Sequence, residues 1–150
     1  MKTALDPVNL RLLDELSRNP RITMSELARR LGMSSPAVTD RVQRLEAGGI
    51  ITGYRVDLDP RALGWPVAAF VRIRPGPGQL TRIAELAQQT PEVVECHRIT
   101  GEDCFLLKVY VTEIDKLEDV LDRFLMFGQT TSSIVQSSPV PARSLPLPEI

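Results

Sequence analysis

Between Thr23 and Ala47 the chain opens a helix twice and closes one twice, with only a short glycine-containing turn in between. Thr23 begins the first of these segments, and Glu26, three residues on, completes a capping box. Met24, Leu27, Ala28 and Leu31 follow at helical spacing, and Gly32 ends the run. Ser34 then caps a second segment with the apolar stripe Val38, Val42 and Leu45, stopped by Gly48-Gly49. Two capped amphipathic helices across a three-residue turn make a helix-turn-helix. Ala28 falls where the two helices cross, which demands a small side chain. An earlier helix starts at Asp6 as N-cap with Pro7 at its first position, carries Val8, Leu12, Leu13 and Leu16 on one face, and ends at Asn19-Pro20.

If Val38, Val42 and Leu45 face a core, the opposite edge of the third helix is free. Ser35, Pro36, Thr39, Asp40 and Gln43 lie there, short or polar residues suited to a major groove about 12 Å wide. Ser34 stands at the start of that edge, and Arg41 and Arg44 flank it within reach of phosphates, although the long Arg41 side chain could instead bridge to Glu26 or Asp40 and act structurally. Ile50 to Val56, two β-prone pieces broken at Gly53, predict a small hairpin, the wing, which adds Arg55 to the expected DNA contacts.

Charge supports this placement only when read locally. The 150 residues carry a formal net charge of −1. From Arg18 to Arg55 there are seven arginines against Glu26, Asp40 and Glu46, a balance of +4. Beyond Pro60 nine basic residues meet eleven acidic ones, a balance of −2. A positive segment on a near-neutral chain is what phosphate binding needs, although a solvated helix face has the same composition.

After Asp57 to Gly64, a connector containing Asp59-Pro60, the helical period gives way to alternation. Val67 to Ile73, Val93 to Ile99, Phe105 to Val111 and a segment from Thr131 read as strands. Leu80, Ile83, Ala84 and Ala87 mark one helix, and Leu117, Val120, Leu121, Phe124 and Leu125 another. The order β-α-β-β-α-β is the split βαβ unit of ferredoxin-like sheets. The expected fold is therefore α+β: a winged helix-turn-helix over residues 1–59, a linker over 57–64, and a ferredoxin-like dimerisation and sensing domain over 65–150. Val67, Ala69 and Val71 oppose Ala68 and Phe70, and Leu106 opposes Leu107, so neither sheet face is wholly polar. One face covers helices and the other calls for a second copy.

Several segments together resemble the Lrp/AsnC, or feast/famine, regulators. Leu5-Asp6 with Leu12-Leu13, then Arg21-Ile22-Thr23-Met24-Ser25-Glu26-Leu27-Ala28, are similar to that family's first two helices. Leu31-Gly32-Met33-Ser34 and Arg41-Val42-Gln43-Arg44-Leu45-Glu46 are similar to its turn and recognition helix, and Gly49-Ile50-Ile51-Thr52-Gly53-Tyr54 to its wing. Pro91-Glu92-Val93, Thr100-Gly101-Glu102, Leu106-Leu107-Lys108-Val109 and the closing Leu145-Pro146-Leu147 resemble its sensor domain and tail. Two positions depart: Cys104 stands where an acid is common, and Met126-Phe127-Gly128 where Pro-Gly-Val is common. The resemblance implies a sequence-specific transcriptional regulator that binds double-stranded DNA, responds to an amino acid or related small metabolite, and assembles as a homodimer or further to a tetramer or octamer. It implies an effector site at the sensor turn: His97, Thr100, Gly101, Glu102, Asp103 and Cys104, with Ser132 on the last strand. Glu102 and Asp103 suit an effector's ammonium group, and equally suit turn formation. An architectural DNA-packing protein without ligand response is the competing reading.

Other chemistries find less support. Cys96, His97 and Cys104 match no common zinc spacing, so no metal or other cofactor is expected. Cys104 at a turn edge is open to being a ligand contact, a redox thiol or a tolerated small residue. One histidine and two cysteines offer no nucleophile-base-orienter set, so no enzyme is expected. Gly76-Pro77-Gly78 lacks the lysine of a phosphate loop. The start Met1-Lys2-Thr3-Ala4-Leu5-Asp6, which turns polar too soon for a signal peptide, and the lack of a long apolar run predict a cytoplasmic, nucleoid-associated protein away from membranes.

Overall fold

A computed structural model describes residues 5–149 of the chain, so Met1 to Ala4 of the start read against a signal peptide lie outside the described residues. Among the described residues nine elements follow in order: α1 (Pro7–Arg18), α2 (Met24–Leu31), α3 (Ser35–Ala47), β1 (Val67–Pro75), α4 (Leu80–Gln89), β2 (Val93–Arg98), β3 (Phe105–Val111), α5 (Ile114–Phe124) and β4 (Gly128–Ile134). They divide into two compact units, one holding residues 5–56 together with 140–149 and the other Asp57–Pro139. The tail after Pro139, read above as the end of the sensing domain, thus groups with the helical unit.

In the helical unit the caps fall where the sequence places them. Asp6, Thr23 and Ser34 each accept a hydrogen bond from the backbone N–H three residues on. Gly32 adopts φ +67°, the left-handed conformation that lets α2 end and α3 begin at once. Leu12, Leu16, Ile22, Leu27, Ala28, Val38, Val42 and Leu45 form the buried cluster, with Leu13, Met24, Leu31, Met33 and Ile51 packed against it.

The expected wing differs. Residues 50–58 form no strand and pair with nothing in a ladder. Instead the chain hooks back onto the end of α3. The amides of Ile50 and Ile51 both donate to the Leu45 carbonyl, and the Tyr54 hydroxyl donates to Glu46 at 2.8 Å. Burial first, and then the Glu46 carboxylate, push the Tyr54 phenol up to about 12, so it keeps its proton. A lone two-stranded hairpin is marginal in water, and Val56 at 81% exposure adds nothing to a core.

The second unit is one antiparallel sheet in the order β2-β3-β1-β4. Its register puts Val71 beside Leu107 and Ile73 beside Phe105, and the residues on that face are buried under α4 and α5. Ala69, Val71, Ile73, Phe105, Leu107, Val109 and Val111 meet Ile83, Ala87, Leu117, Val120 and Phe124 there. Leu125, assigned to that helical stripe, is exposed and lies just past α5.

β4 begins three residues before the expected Thr131, because its sequence, GQTTSSI, shows no apolar alternation. Its start requires glycine. A Cβ at Gly128 would lie 2.5 Å from the carbonyl oxygen of Arg74 on β1. The opposite sheet face is not covered by this chain's helices. Ala68, Phe70, Leu106 and Tyr110 lie on it, with Phe70 39% exposed and the Lys108 ammonium set between the Phe70 and Tyr110 rings.

Candidate nucleic-acid interface and effector turn

The outward edge of α3 is assembled from residues that cannot pack inward. Pro36, Asp40 and Gln43 are exposed, while Ser35 and Thr39 are half-buried on the flank. The Ser34 hydroxyl is used in capping, and the Thr39 hydroxyl donates to the Ser35 carbonyl at 2.9 Å, which leaves its lone pairs to accept. Arg44 pairs with Asp40 at 2.7 Å, both side chains well exposed. Exposed pairs of this kind contribute only about 0–1 kcal/mol. Arg55 is exposed in the segment after α3.

Arg41 is placed differently from the flanking position expected of it. Its side chain is 29% exposed, and Nη1 donates to Asp6 Oδ2 at 2.8 Å and to Asn9 Oδ1 at 3.0 Å. The first of these bonds, then the Asn9 amide, holds the Asp6 carboxyl below its ordinary value. The guanidinium is thus committed to the start of α1 rather than to the groove edge. Sequence reasoning read Asp6 as a cap alone; its second carboxylate oxygen was the missed signal.

The positive balance of this unit is partly spent internally too. Glu26 holds Arg29 at 2.6 Å and Arg30 at 2.9 Å, and Arg30 also reaches Glu15 at 2.7 Å. Arg29 and then Arg30 keep the Glu26 carboxyl down to about 2. The second residue of the capping box therefore works as an ion-pair hub.

In the sensor unit the turn Ile99 to Cys104 closes the β2–β3 hairpin, with the Ile99 amide donating to the Cys104 carbonyl at 2.9 Å. Gly101 has φ +106°, a conformation that side chains avoid. Thr100 and Glu102 are exposed, and Asp103 and Cys104 half-buried. The Cys104 thiol points back at the carbonyls of Gly101 and Glu102, 3.7 Å from each. Arg74 at the end of β1 bonds to Glu102 and lies 3.8 Å from Asp103, a basic partner that sequence reasoning did not find. His97 sits beside Leu106 on the open sheet face, 3.1 Å from Glu95. Ser132 does not join this group. It pairs with Val71 on β4, the far edge of the sheet, with β1 and β3 between it and β2.

Cys96 is paired with Leu107, and burial raises its thiol. Among the described residues no group of three or more His, Cys, Asp or Glu could hold a metal ion, and no helix is long and apolar enough to cross a membrane. A cleft of about 320 Å³ lies elsewhere in this unit, between the connector residues Leu58, Leu63 and Trp65 and the group Pro91, Val94 and Tyr110.

A helix-turn-helix with a free recognition edge, joined to a four-stranded ferredoxin-like sheet, defines a DNA-binding regulator with a separate regulatory domain. Comparison with known proteins carries this further. Residues 5–52 match a winged helix-turn-helix DNA-binding family, and residues 68–145 match the Lrp/AsnC ligand binding domain. The chain belongs to the Lrp/AsnC family of transcriptional regulators. It is 32% identical to the regulator LrpC of Bacillus subtilis over 89% of its length and 92% of the relative's. It is 38% identical to LrpA of Mycobacterium tuberculosis, covering 89% of this chain and 87% of that one. The solved structure of the B. subtilis protein superposes with a TM-score of 0.86 at 32% identity, covering 90% and 96% of the two chains. A feast or famine regulatory protein from M. tuberculosis, solved with L-methionine, gives 0.88 at 36% identity, covering 95% and 99%. These relatives are regulators rather than enzymes.

Proposed function

We propose that this regulator reads its operator with the outward edge of α3 and answers to a free amino acid held at the turn Thr100 to Cys104. The observation that carries the first part is the burial of Val38, Val42 and Leu45, which leaves only the opposite edge of α3 to enter a groove. Ser35, Pro36, Thr39 and Gln43 face the bases and Arg44 a phosphate, with Ser34, Asp40 and Arg55 at the margin. The second part draws support from the relative solved with L-methionine and from the acidic turn, which suits an ammonium group. The open sheet face, apolar at Phe70, Leu106 and Tyr110, pairs with a second copy to give a homodimer that binds a two-fold site in the cytoplasm, and larger assemblies build from such dimers.

Binding to a duplex selected from a random pool by the wild-type protein tests the reading. Gln43→Ala should lose preference at one operator position, about 1–3 kcal/mol, while non-specific affinity stays. Arg44→Ala should weaken every sequence alike and lower the salt slope by about one per contact. Identical profiles for the two variants would exclude this division of roles.

The effector reading has its own check. In a thermal-shift screen of the twenty amino acids, a ligand at a hundredfold excess over its dissociation constant raises stability by about 2.7 kcal/mol. Gly101→Val, forced into a conformation that valine avoids, should abolish that shift and retain operator binding. An unchanged shift in the variant places the effector elsewhere.

A further inference from the structure

We infer that Asp6, Asn9 and Arg41 form a clamp that sets the roll of α3, so that Arg41 is a positioning residue for operator recognition and not a phosphate contact. The inference rests on the reading of α3 as the groove-entering helix. Val38, Val42 and Leu45 hold α3 to the core by apolar contact, which selects the face that turns inward but, being non-directional, sets the fine rotation about the helix axis less sharply than a hydrogen bond does. Arg41 follows Val38 by three residues and precedes Leu45 by four, so it lies on the flank of that stripe. A charge-assisted bond there acts off the axis and is directional.

The partners are themselves anchored. Asn9 is 5% exposed, and its backbone N–H donates to Asp6 Oδ1 at 2.7 Å while its side-chain oxygen accepts from Arg41 Nη1 at 3.0 Å. One carboxylate thus caps α1 through Oδ1 and holds α3 through Oδ2. The Asp6 charge also offsets that of Arg41, which weakens its attraction for a phosphate. Arg44 pairs with Asp40 on its own helix, and that bond says nothing about how α3 sits on α1. Gln43, two residues from Arg41, needs its amide in a particular plane to read a base, so a small roll of α3 costs selectivity before it costs general affinity.

Asp6→Asn separates the two roles of Arg41 by sign. Asparagine caps a helix as well as aspartate does, so α1 is retained while the carboxylate is lost. If Arg41 positions α3, Asp6→Asn and Arg41→Gln should both lower the operator-over-non-specific affinity ratio by about tenfold with the salt slope unchanged. Arg41→Lys, which keeps a cation able to reach Asp6, should recover part of the ratio. If Arg41 instead contacts a phosphate, Asp6→Asn frees it, and binding to all sequences should tighten with a steeper slope, while Arg41→Gln makes the slope shallower by about one. That pattern overturns the clamp, as does wild-type selectivity in both variants. Helical circular dichroism accompanies each measurement, and if Arg41→Gln unfolds the unit, Asp6→Asn and Arg41→Lys still carry the sign. A wild-type protein that selects no preferred duplex would overturn the groove reading itself, and Gln43→Ala provides that control.

Discussion

Leu45→Ala is expected to remove DNA binding from this protein while leaving its sheet folded. Leu45 is fully buried and is the last apolar anchor of α3. Its carbonyl also accepts the amides of Ile50 and Ile51, so the end of α3 and the turn that follows are organised around it. Truncating a buried leucine costs about 2–5 kcal/mol. A helical unit of this size buries a smaller fraction of its surface than a larger domain, and has little stability to spare. The loss should therefore appear at every DNA sequence alike, unlike the loss from Gln43→Ala.

The sensor unit provides an internal control, because the two buried clusters share no residue. The chain's single tryptophan, Trp65, belongs to the sheet-containing unit and provides its optical probe. In a melting experiment on Leu45→Ala, the far-UV signal should lose helix at lower temperature while the midpoint of the Trp65 emission stays near wild type. A Trp65 midpoint that falls together with the helical signal would show that the two cores do not unfold separately.

Helix ends were the most legible part of the chain, and the reason is chemical. Thr23, Ser34 and Gly32 act within three residues of where they stand, so local sequence suffices to place them. Apolar alternation located β1 and β3 for the same reason: both are central strands, and one face of each is buried by helices. The start of β4 escaped because an edge strand of Gly, Gln, Thr and Ser satisfies its backbone without burying a stripe. The wing was overread. Ile50, Ile51 and Tyr54 have strand propensity, but the Leu45 carbonyl and the Glu46 carboxylate compete for their donors and win.

At the candidate sites, what was legible again followed range. The outward edge of α3 comes from periodicity. Arg41 on Asp6 and Asn9, across more than thirty residues, and Arg74 on Glu102 and Asp103 come from tertiary placement, which no spacing rule encodes. Ser132 shows the converse: a residue grouped with the turn by family likeness is held by the ladder at the opposite edge of its own sheet.

Phe105→Ala should have the largest effect on the sensing half. Phe105 is 1% exposed and directly follows Cys104, so its ring closes the core beneath the turn that carries Gly101 and Glu102. It is paired with Ile73 on one side and with Arg98 on the other, and the Arg98 guanidinium lies 5.1 Å from the ring centre. Truncating a buried phenylalanine costs about 3–5 kcal/mol. Near the melting temperature each kcal/mol shifts a unit of this size by about 4–8 °C, so the Trp65 midpoint should fall by at least about 12 °C. Below that midpoint the sheet can still form, but Arg98 has lost its surface and the hairpin end its floor. The shift produced by an amino-acid ligand should then disappear, because ligand binding would have to order the turn as well. Operator affinity should fall only as far as dimerisation weakens, since α3 and its core lie in the other unit. A full ligand shift in Phe105→Ala would mean that the effector does not use this turn, and the search would move to the other surfaces of the sheet.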